Sequence, residues 1–143
     1  MIGLAFGAID ARTLLALAPL GAMRLTPWRM LLIEGLRQMP RLPGLITRPD
    51  DPLLRVAACP GLPACRQAQR PVRDLARRLA PQVPPGRILH VSGCAKGCAH
   101  PRPADVTLTA TRHGFDLIAA GRAGDDALAS GLAGEQIDLR EYF

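Results

Sequence analysis

All four cysteines of the chain lie in two close pairs, Cys59 with Cys65 and Cys94 with Cys98. Five residues separate the first two thiols, and three residues separate the second two. Cysteine thiolates form disulfides, bind zinc or hold iron–sulfur clusters, and the compartment and the spacing decide among these chemistries. The two pairs are therefore the candidate metal-binding or redox centre of the chain.

The spacing within the pairs favours a cubane iron–sulfur cluster. Paired zinc ligands commonly have two residues between them on a tight turn, and neither pair here follows that pattern. A cubane has four separate iron corners, so its ligands spread further along the chain. Gly61, Gly93 and Gly97 leave room for a bulky inorganic core and leave peptide N–H groups free to hydrogen-bond to sulfur. Zinc and free thiols remain alternatives, whereas disulfides would need an oxidising compartment, of which the sequence gives no sign.

Charge and composition limit the class of partner. Lys and Arg number 18 against 12 Asp and Glu, which gives a net charge of +6 at pH 7. Arginine binds carboxylates and phosphates through paired N–H groups, so an anionic ligand suits this balance. Aromatic residues are only 3% of the chain, and no basic recognition helix is visible, so we expect no nucleic-acid partner. We find neither a membrane span nor a secretion signal and expect a cytoplasmic protein with no membrane partner.

The first residues predict a strand followed by a helix. Residues 2–8 alternate Ile, Leu and Phe with Gly and Ala, which predicts a strand whose second face is nearly bare. Glycines on that face would admit a backbone or a flat ligand. Asp10 is placed to cap a helix that ends near Pro19. The apolar face of this helix is predicted to comprise Ala11, Leu14, Leu15 and Ala18.

Two further strands and a connector follow the helix. Residues 22–26 and 29–35 predict short strands separated at Pro27. A strand, a helix and two strands make half of a ferredoxin-like α+β unit. Residues 39–52 contain four prolines, which is typical of a connector, so we place a domain boundary there.

The residues after the first cysteine pair predict a helix and several strands. Pro71 is placed in the first turn of the helix, and residues 87–91 predict a strand, with His90 packed inside, that runs into the second cysteine pair. A turn at His113 and Gly114 divides residues 105–121 into the two strands of a hairpin. The residues after the hairpin predict loops with a short helix. The helix is predicted to bury Val72, Leu75, Ala76 and Leu79 and to point Arg73, Arg77 and Arg78 at water.

The pattern Cys-x5-Cys, a long gap and Cys-x3-Cys resembles the cluster site of the nitrite and sulfite reductase family. The resemblance implies that all four cysteines hold a [4Fe–4S] cluster and that the last thiolate can bridge to sirohaem. It implies an α+β fold: a ferredoxin-like half-domain over residues 1–38, which include "RLTPWR", a connector over 39–52, and an α/β [4Fe–4S] cluster domain over 53–143.

Within this family, "ACPGLPAC" and "HVSGCAKGCAHP" look most like the motifs of the oxygen-dependent precorrin-3B synthases of aerobic cobalamin biosynthesis. That resemblance implies an oxidoreductase that monooxygenates precorrin-3A with O2 to a hydroxylated γ-lactone, with electrons from a separate donor. The alternatives are half of a sirohaem-dependent sulfite or nitrite reductase, with sirohaem as a second cofactor, and a non-catalytic electron-transfer module. A zinc-stabilised nucleic-acid binder is the last alternative.

The resemblance also suggests candidates for substrate binding outside the cysteines. Lys96 stands where sulfite and nitrite reductases more often carry Asn, and its ammonium could pair with a substrate carboxylate. Arg24 and Arg29, with the Thr26 hydroxyl in support, are candidates for carboxylate binding. His100 is a candidate hydrogen-bond donor or proton carrier beside the cluster. For each of these side chains the alternative is an ordinary surface or packing role, and no catalytic residue is assigned.

Family members consist of two such halves with the macrocycle between them. This chain corresponds to one half-domain and one cluster domain, which match the second half. We therefore expect a missing N-terminal half or a partner chain to supply the remaining macrocycle contacts. Activity of the chain alone is in doubt on this ground, whereas cluster binding is not.

Overall fold

The computed structural model describes all residues, 1–143, and divides them into two compact units, Met1–Leu54 and Arg55–Phe143. The fold is mixed α+β, with two β-sheets and two short helices. This confirms the predicted α+β class. Each helix has seven residues, and neither is long or apolar enough to cross a membrane.

Unit 1 contains a four-stranded antiparallel sheet and one helix. Its sheet has the order β2-β3-β1-β4, with β1 antiparallel to both β3 and β4. Buried apolar side chains from the central strands and the helix form its core: Ile2, Leu4, Leu17, Leu31 and Ile33. The elements are β1 (Ile2–Leu4), α1 (Ala11–Leu17), β2 (Met23–Leu25), β3 (Met30–Ile33) and β4 (Leu45–Ile46).

The first strand is shorter than its alternating sequence predicts. It ends at Leu4, and Ala5–Gly7 form a 3-10 turn in which Phe6 has a φ of 56°. The bare face of the strand is covered by the unit itself. A Cβ on Gly3 would lie 3.0 Å from Ile46 Cβ and 3.1 Å from Leu54 Cδ2. The close approach that Gly3 permits is therefore used for packing within the unit.

The capping of α1 is confirmed, but the predicted apolar face is wrong. Asp10 accepts hydrogen bonds from the Thr13 backbone N–H at 2.9 Å and from the Thr13 hydroxyl at 2.7 Å. Thr13 and Leu17 are the buried residues of the helix, whereas Leu15 is 72% exposed. Because Asp10 satisfies the Thr13 hydroxyl, this polar side chain can be buried one turn before Leu17.

Two predicted strands are confirmed, and a further strand lies in the stretch that suggested a connector. β2 and β3 pair across Pro27 as the sequence indicates. Residues 39–52 contain β4, which pairs with β1 and lies within unit 1. The prolines of this stretch lie outside the two-residue strand, so they do not interrupt its hydrogen bonds.

Unit 2 contains a five-stranded mixed sheet with the order β5-β6-β7-β8-β9. β5, β6 and β7 run parallel, and β8 and β9 continue the sheet antiparallel. Most side chains of β6 and β7 are buried on both faces, as is usual where a sheet is covered on both sides. The elements are β5 (Val56–Ala58), α2 (Arg73–Leu79), β6 (Leu89–Ser92), β7 (Ala104–Thr111), β8 (Gly114–Gly121) and β9 (Ala129–Leu132).

The helix and hairpin of unit 2 follow the sequence closely, and its last strand does not. Val72, Ala76 and Leu79 are fully buried as predicted, whereas Arg73 is half-buried and does not point freely at water. The β7–β8 hairpin is confirmed, with Thr111 opposite Gly114. β9 was not predicted, because "ASGL" lacks strand-forming residues and pairs only where β8 offers it an edge. The predicted short helix of this region is a single 3-10 turn, Gly134–Gln136.

Candidate functional site

The two cysteine loops begin at the same edge of the unit 2 sheet. Cys59 follows directly after β5, and Cys94 lies two residues after the end of β6. β5 and β6 are adjacent and parallel, with Ala58 opposite Val91. Because parallel strands end at the same edge, the fold places the starts of both loops side by side.

Direct contacts join the two loops at Gly93. The Gly93 backbone N–H donates to the Cys59 Sγ at 3.1 Å, and the Gln69 N–H donates to the Gly93 carbonyl at 2.7 Å. A Cβ on Gly93 would lie 2.8 Å from Ala68 Cβ and 3.1 Å from Cys59 Sγ. Only glycine fits at this point, and its N–H is aimed at sulfur.

Short hydrogen-bonded turns hold Cys65 and Cys94. The Cys65 N–H donates to the Gly61 carbonyl at 2.8 Å, and the Ser92 hydroxyl donates to the Cys94 carbonyl at 2.7 Å. All four cysteines are free thiols. Cys59 is buried, Cys65 and Cys94 are half-buried, and Cys98 is exposed. The four thiols thus differ in solvent exposure.

The four thiols differ from a single-ion site. No three His, Cys, Asp or Glu side chains converge in a way that could hold one metal ion. Four thiolates on one zinc would lie only about 4 Å apart, since each Zn–S bond is about 2.3 Å. A cubane places each thiolate on a different iron, so its ligands need not converge on one point. Four free thiols on adjacent loops, with a peptide N–H directed at one sulfur, are the kind of donor that iron–sulfur clusters use.

Two polar side chains predicted to serve this site lie on the second cysteine loop. Lys96 is exposed, lies between Cys94 and Cys98 and makes no ion pair. His100 is half-buried, and its Nε2 lies 3.3 Å from the Pro103 carbonyl oxygen. Because a carbonyl only accepts, this contact requires Nε2 to carry the proton. The His100 side chain is thus engaged within its own loop.

His90 on β6 is fully buried, and neither of its ring nitrogens has a hydrogen-bond partner. Its ring packs edge-on against His100 with 5.8 Å between the ring centroids. A Cβ on Gly97 would lie 3.5 Å from its Cε1. Burial, together with a smaller repulsion from His100, lowers the pKa of His90 to about 4. The imidazole beneath the second cysteine loop is therefore neutral at pH 7.

A cleft of about 630 Å³ adjoins the cysteine loops. Its walls come from four parts of unit 2: residues 94–96 of the second cysteine loop, residues 67 and 69 of the first, the β7–β8 hairpin with its turn, and residues 124 and 125 after β8. Its charged and hydroxyl-bearing residues are Lys96, Thr109, Thr111, Arg112, Asp116 and Asp125. The cleft thus brings a predicted ligand, Cys94, and a predicted substrate contact, Lys96, against one polar surface.

Arg70 ties the first cysteine loop to the hairpin. Its Nε donates to the Thr111 carbonyl at 3.0 Å, and its Nη2 donates to the Arg112 carbonyl at 2.8 Å. A guanidinium binds two adjacent carbonyls with fixed geometry, so the end of the loop and the end of the hairpin are held together.

Comparison with known proteins identifies one relative relevant to this site. The chain is 32% identical to a curated precorrin-3B synthase of a Sinorhizobium species, over an alignment of 140 residues that covers 85% of the chain. The chain is homologous to part of precorrin-3B synthase. It spans only 30% of the length of that relative. No protein-family model matches the chain.

The other residues predicted to bind a precorrin-3B synthase substrate lie in unit 1. Arg24 on β2 forms an ion pair with Glu34. Arg29 has a φ of 60° in the β2–β3 turn, and burial lowers the pKa of its guanidinium. The Thr26 hydroxyl donates to the Met30 carbonyl at 3.0 Å. The Arg29 Nη2 donates to the Leu54 carbonyl at 3.5 Å. All three side chains therefore have contacts within unit 1.

Apart from Cys94 and Lys96, the residues of the cleft were not predicted from the sequence as site residues. Thr109 and Arg112 belong to the hairpin, whose alternating threonines indicated a strand but not what its polar face would meet. The sequence did place three threonines on one face of the strand. Such a face lies either in solvent or against other polar groups. Neither alternation nor spacing reveals that the second cysteine loop lies against it.

Substitution of Gly93 by alanine is expected to destabilise unit 2 by about 2 kcal/mol, because the new Cβ would overlap Ala68 and press on the Cys59 sulfur. Urea unfolding of the metal-free chain, followed by circular dichroism, measures this effect. Gly134→Ala is the matched control, since the nearest atom to its Cβ is a Phe115 ring carbon at 3.3 Å. Equal unfolding free energies for the two variants would show that Gly93 is not sterically required.

Proposed function

We propose that the chain binds a [4Fe–4S] cluster through Cys59, Cys65, Cys94 and Cys98 and forms the cluster-bearing part of an oxidoreductase of the precorrin-3B synthase type. The observation that carries the proposal is the similarity to a precorrin-3B synthase over 85% of the chain. Two cysteine loops that start at one sheet edge and touch at Gly93 support it. The substrate class is a precorrin, with precorrin-3A and O2 as the reactants and a separate electron donor.

The residues of the loops would position the sulfur atoms for the cluster. The Gly93 N–H donates a hydrogen bond to the Cys59 sulfur. A bound cluster supplies one-electron transfer at a potential set by such hydrogen bonds and by solvent exposure. Cys98 is exposed and Cys59 is buried, so the ligands of the proposed cluster would differ in solvent exposure.

Lys96 is the side chain of the second loop best placed to meet a substrate. It is exposed, has no ion pair and lines the cleft next to Cys94. An ammonium there would attract the carboxylate arms of a precorrin. His90 is buried and neutral, so it offers no charge to an anion. The His100 Nε2–H donates to the Pro103 carbonyl and is engaged within its own loop.

Turnover requires more protein than this chain. The chain spans 30% of the precorrin-3B synthase it matches, so the macrocycle contacts from the rest of that protein must come from another half or a partner chain. Arg24 would bind a substrate carboxylate only by exchanging it for Glu34, with which it is now paired. We therefore place the cluster in this chain and the complete active site in a larger assembly.

Anaerobic purification followed by iron, sulfide and zinc analysis tests the proposal. We expect about four irons and about four sulfides per chain, and a spectroscopic change on reduction with dithionite. Mixing the chain with the remaining part of the Sinorhizobium relative should then allow conversion of precorrin-3A in the presence of O2. Stoichiometric zinc, or no metal, would overturn the proposal. Sirohaem absorption in the assembly would redirect it to a sulfite or nitrite reductase.

A further inference from the structure

The cleft beside the second cysteine loop contains two cations with no partner. Lys96 and Arg112 both line it, and neither side chain takes part in an ion pair or a hydrogen bond. They come from different elements, the cysteine loop and the β7–β8 turn. Two unpaired cations facing one concave surface attract an anion more strongly than either does alone.

The two carboxylates of the cleft are already engaged. Asp116 Oδ1 accepts from the Gly131 N–H at 3.0 Å, and Asp125 Oδ2 accepts from the Arg122 N–H at 2.7 Å. Both therefore hold neighbouring backbone in place, and each has part of its charge balanced by a peptide dipole. The two carboxylates keep their negative charge but each is tied to backbone, whereas the two cations have no partner and can bind an anion.

Thr109 supplies an independent sign of a ligand. It lines the cleft, is only 5% exposed, and its Oγ1 has no hydrogen-bond partner. Buried hydroxyls are nearly always paired, so an unpaired one needs a partner that the protein does not provide.

The remaining wall is apolar and the space suits a small molecule. Ala95, Ala110 and Ile118 line it beside the polar groups. Its volume of about 630 Å³ lies within the range of about 300–1,000 Å³ typical of small-molecule sites. The cleft therefore favours a ligand with an apolar body and one anionic end.

We propose that this cleft is a binding site for a carboxylate, in which Arg112 and Lys96 bind the anion and Thr109 donates a hydrogen bond to it. The carboxylate belongs either to an arm of a tetrapyrrole or to a free small organic acid. The site consists of protein side chains alone, so it does not depend on the cluster. Because Cys94 is part of its wall, a bound molecule lies directly beside the proposed cluster.

Calorimetric titration tests the site with two probes, uroporphyrin as a tetrapyrrole carrying carboxylate arms and 3-phenylpropionate as a small acid. Arg112→Met is expected to weaken binding about tenfold or more, since a charge-assisted paired hydrogen bond is lost. The variant keeps the Arg112 backbone carbonyl that Arg70 binds. Arg77→Met is the matched control, because it removes the same charge from α2, which contributes nothing to the cleft.

Thr109→Val provides a second variant whose fold is not at risk. Removing an unpaired buried hydroxyl should leave the thermal midpoint equal or higher, while affinity for the probe falls several-fold. Binding of uroporphyrin alone would assign the cleft to a tetrapyrrole arm, and binding of 3-phenylpropionate would assign it to a free acid. Either result supports the site if Arg112→Met weakens it and Arg77→Met does not.

Two results would overturn the inference: no binding of either probe at millimolar concentration, or equal binding by the wild type and Arg112→Met. Iron analysis of the same samples separates this outcome from the fate of the proposed function. A chain without iron that still binds the probe through Arg112 would retain the carboxylate site and lose the cluster. A chain with a full cluster and no probe binding would retain the cluster and lose the carboxylate site.

Discussion

Replacement of Cys59 by serine is expected to abolish stable cluster binding, so that iron falls from about four per chain to a small fraction of that value. Cys59 is the buried thiol, and the Gly93 N–H already donates to its sulfur. A serine hydroxyl is not ionised at neutral pH and is a poor ligand for iron in a sulfur-rich cluster. Iron and sulfide analysis of anaerobically purified protein, together with the visible absorption of the cluster, measures the loss.

Ala99→Ser is the control for this substitution, because it adds the same hydroxyl at an exposed position next to Cys98. We expect it to retain iron at the wild-type level. Full iron occupancy in Cys59→Ser would remove Cys59 from the ligand set. It would also show that the sulfur next to Gly93 has only a packing role.

Acidification from pH 7 to pH 5 is expected to lower the unfolding free energy of the metal-free chain by about 2 kcal/mol through His90 alone. The folded state holds the pKa of His90 at about 4, below the value of about 6.5 expected in the unfolded chain. Between these values the unfolded chain binds a proton that the folded chain does not, so stability is complete above about pH 6.5 and falls as the pH drops toward 4. Urea unfolding at the two pH values measures the difference.

His90→Leu should remove most of this pH dependence. It should not lower stability at pH 7, since it replaces two unpaired buried nitrogens by apolar atoms of similar volume. His113→Leu is the control, because His113 is an exposed turn residue. The lowered pKa values of Asp10, Asp105 and Asp138 lie below this window, so those carboxylates contribute little between pH 7 and pH 5. An unchanged slope in His90→Leu would contradict the assignment.

Features with a local cause were predictable from the sequence. The Asp10 cap needs only a carboxylate three residues before Thr13, and the β7–β8 hairpin needs only alternation around a turn. The spacing of the cysteine pairs was also visible in the sequence. What places their loops side by side is the parallel pairing of β5 and β6, which belongs to the fold. Cluster binding by these thiols remains a prediction until iron is measured.

Features that depend on distant partners were not predictable. α1 buries Thr13 because Asp10 satisfies its hydroxyl and the sheet lies on that side, which the count of leucines on the helix does not reveal. β9 exists because β8 offers it an edge. The pairing of Arg24 with Glu34, and the cleft that joins Lys96 to Arg112, arise from residues ten or more positions apart that meet only in the fold.

The two hydrogen bonds of Arg70 have a thermodynamic consequence. The guanidinium of Arg70 donates to the carbonyls of Thr111 and Arg112. The turn of the hairpin therefore cannot shift unless the chain after Cys65 moves with it or both hydrogen bonds break. A ligand in the cleft and a metal on the thiols would thus both contact segments that the Arg70 hydrogen bonds join. Coupling of this kind is reciprocal: whatever factor one ligand applies to the affinity of the other is returned in equal measure.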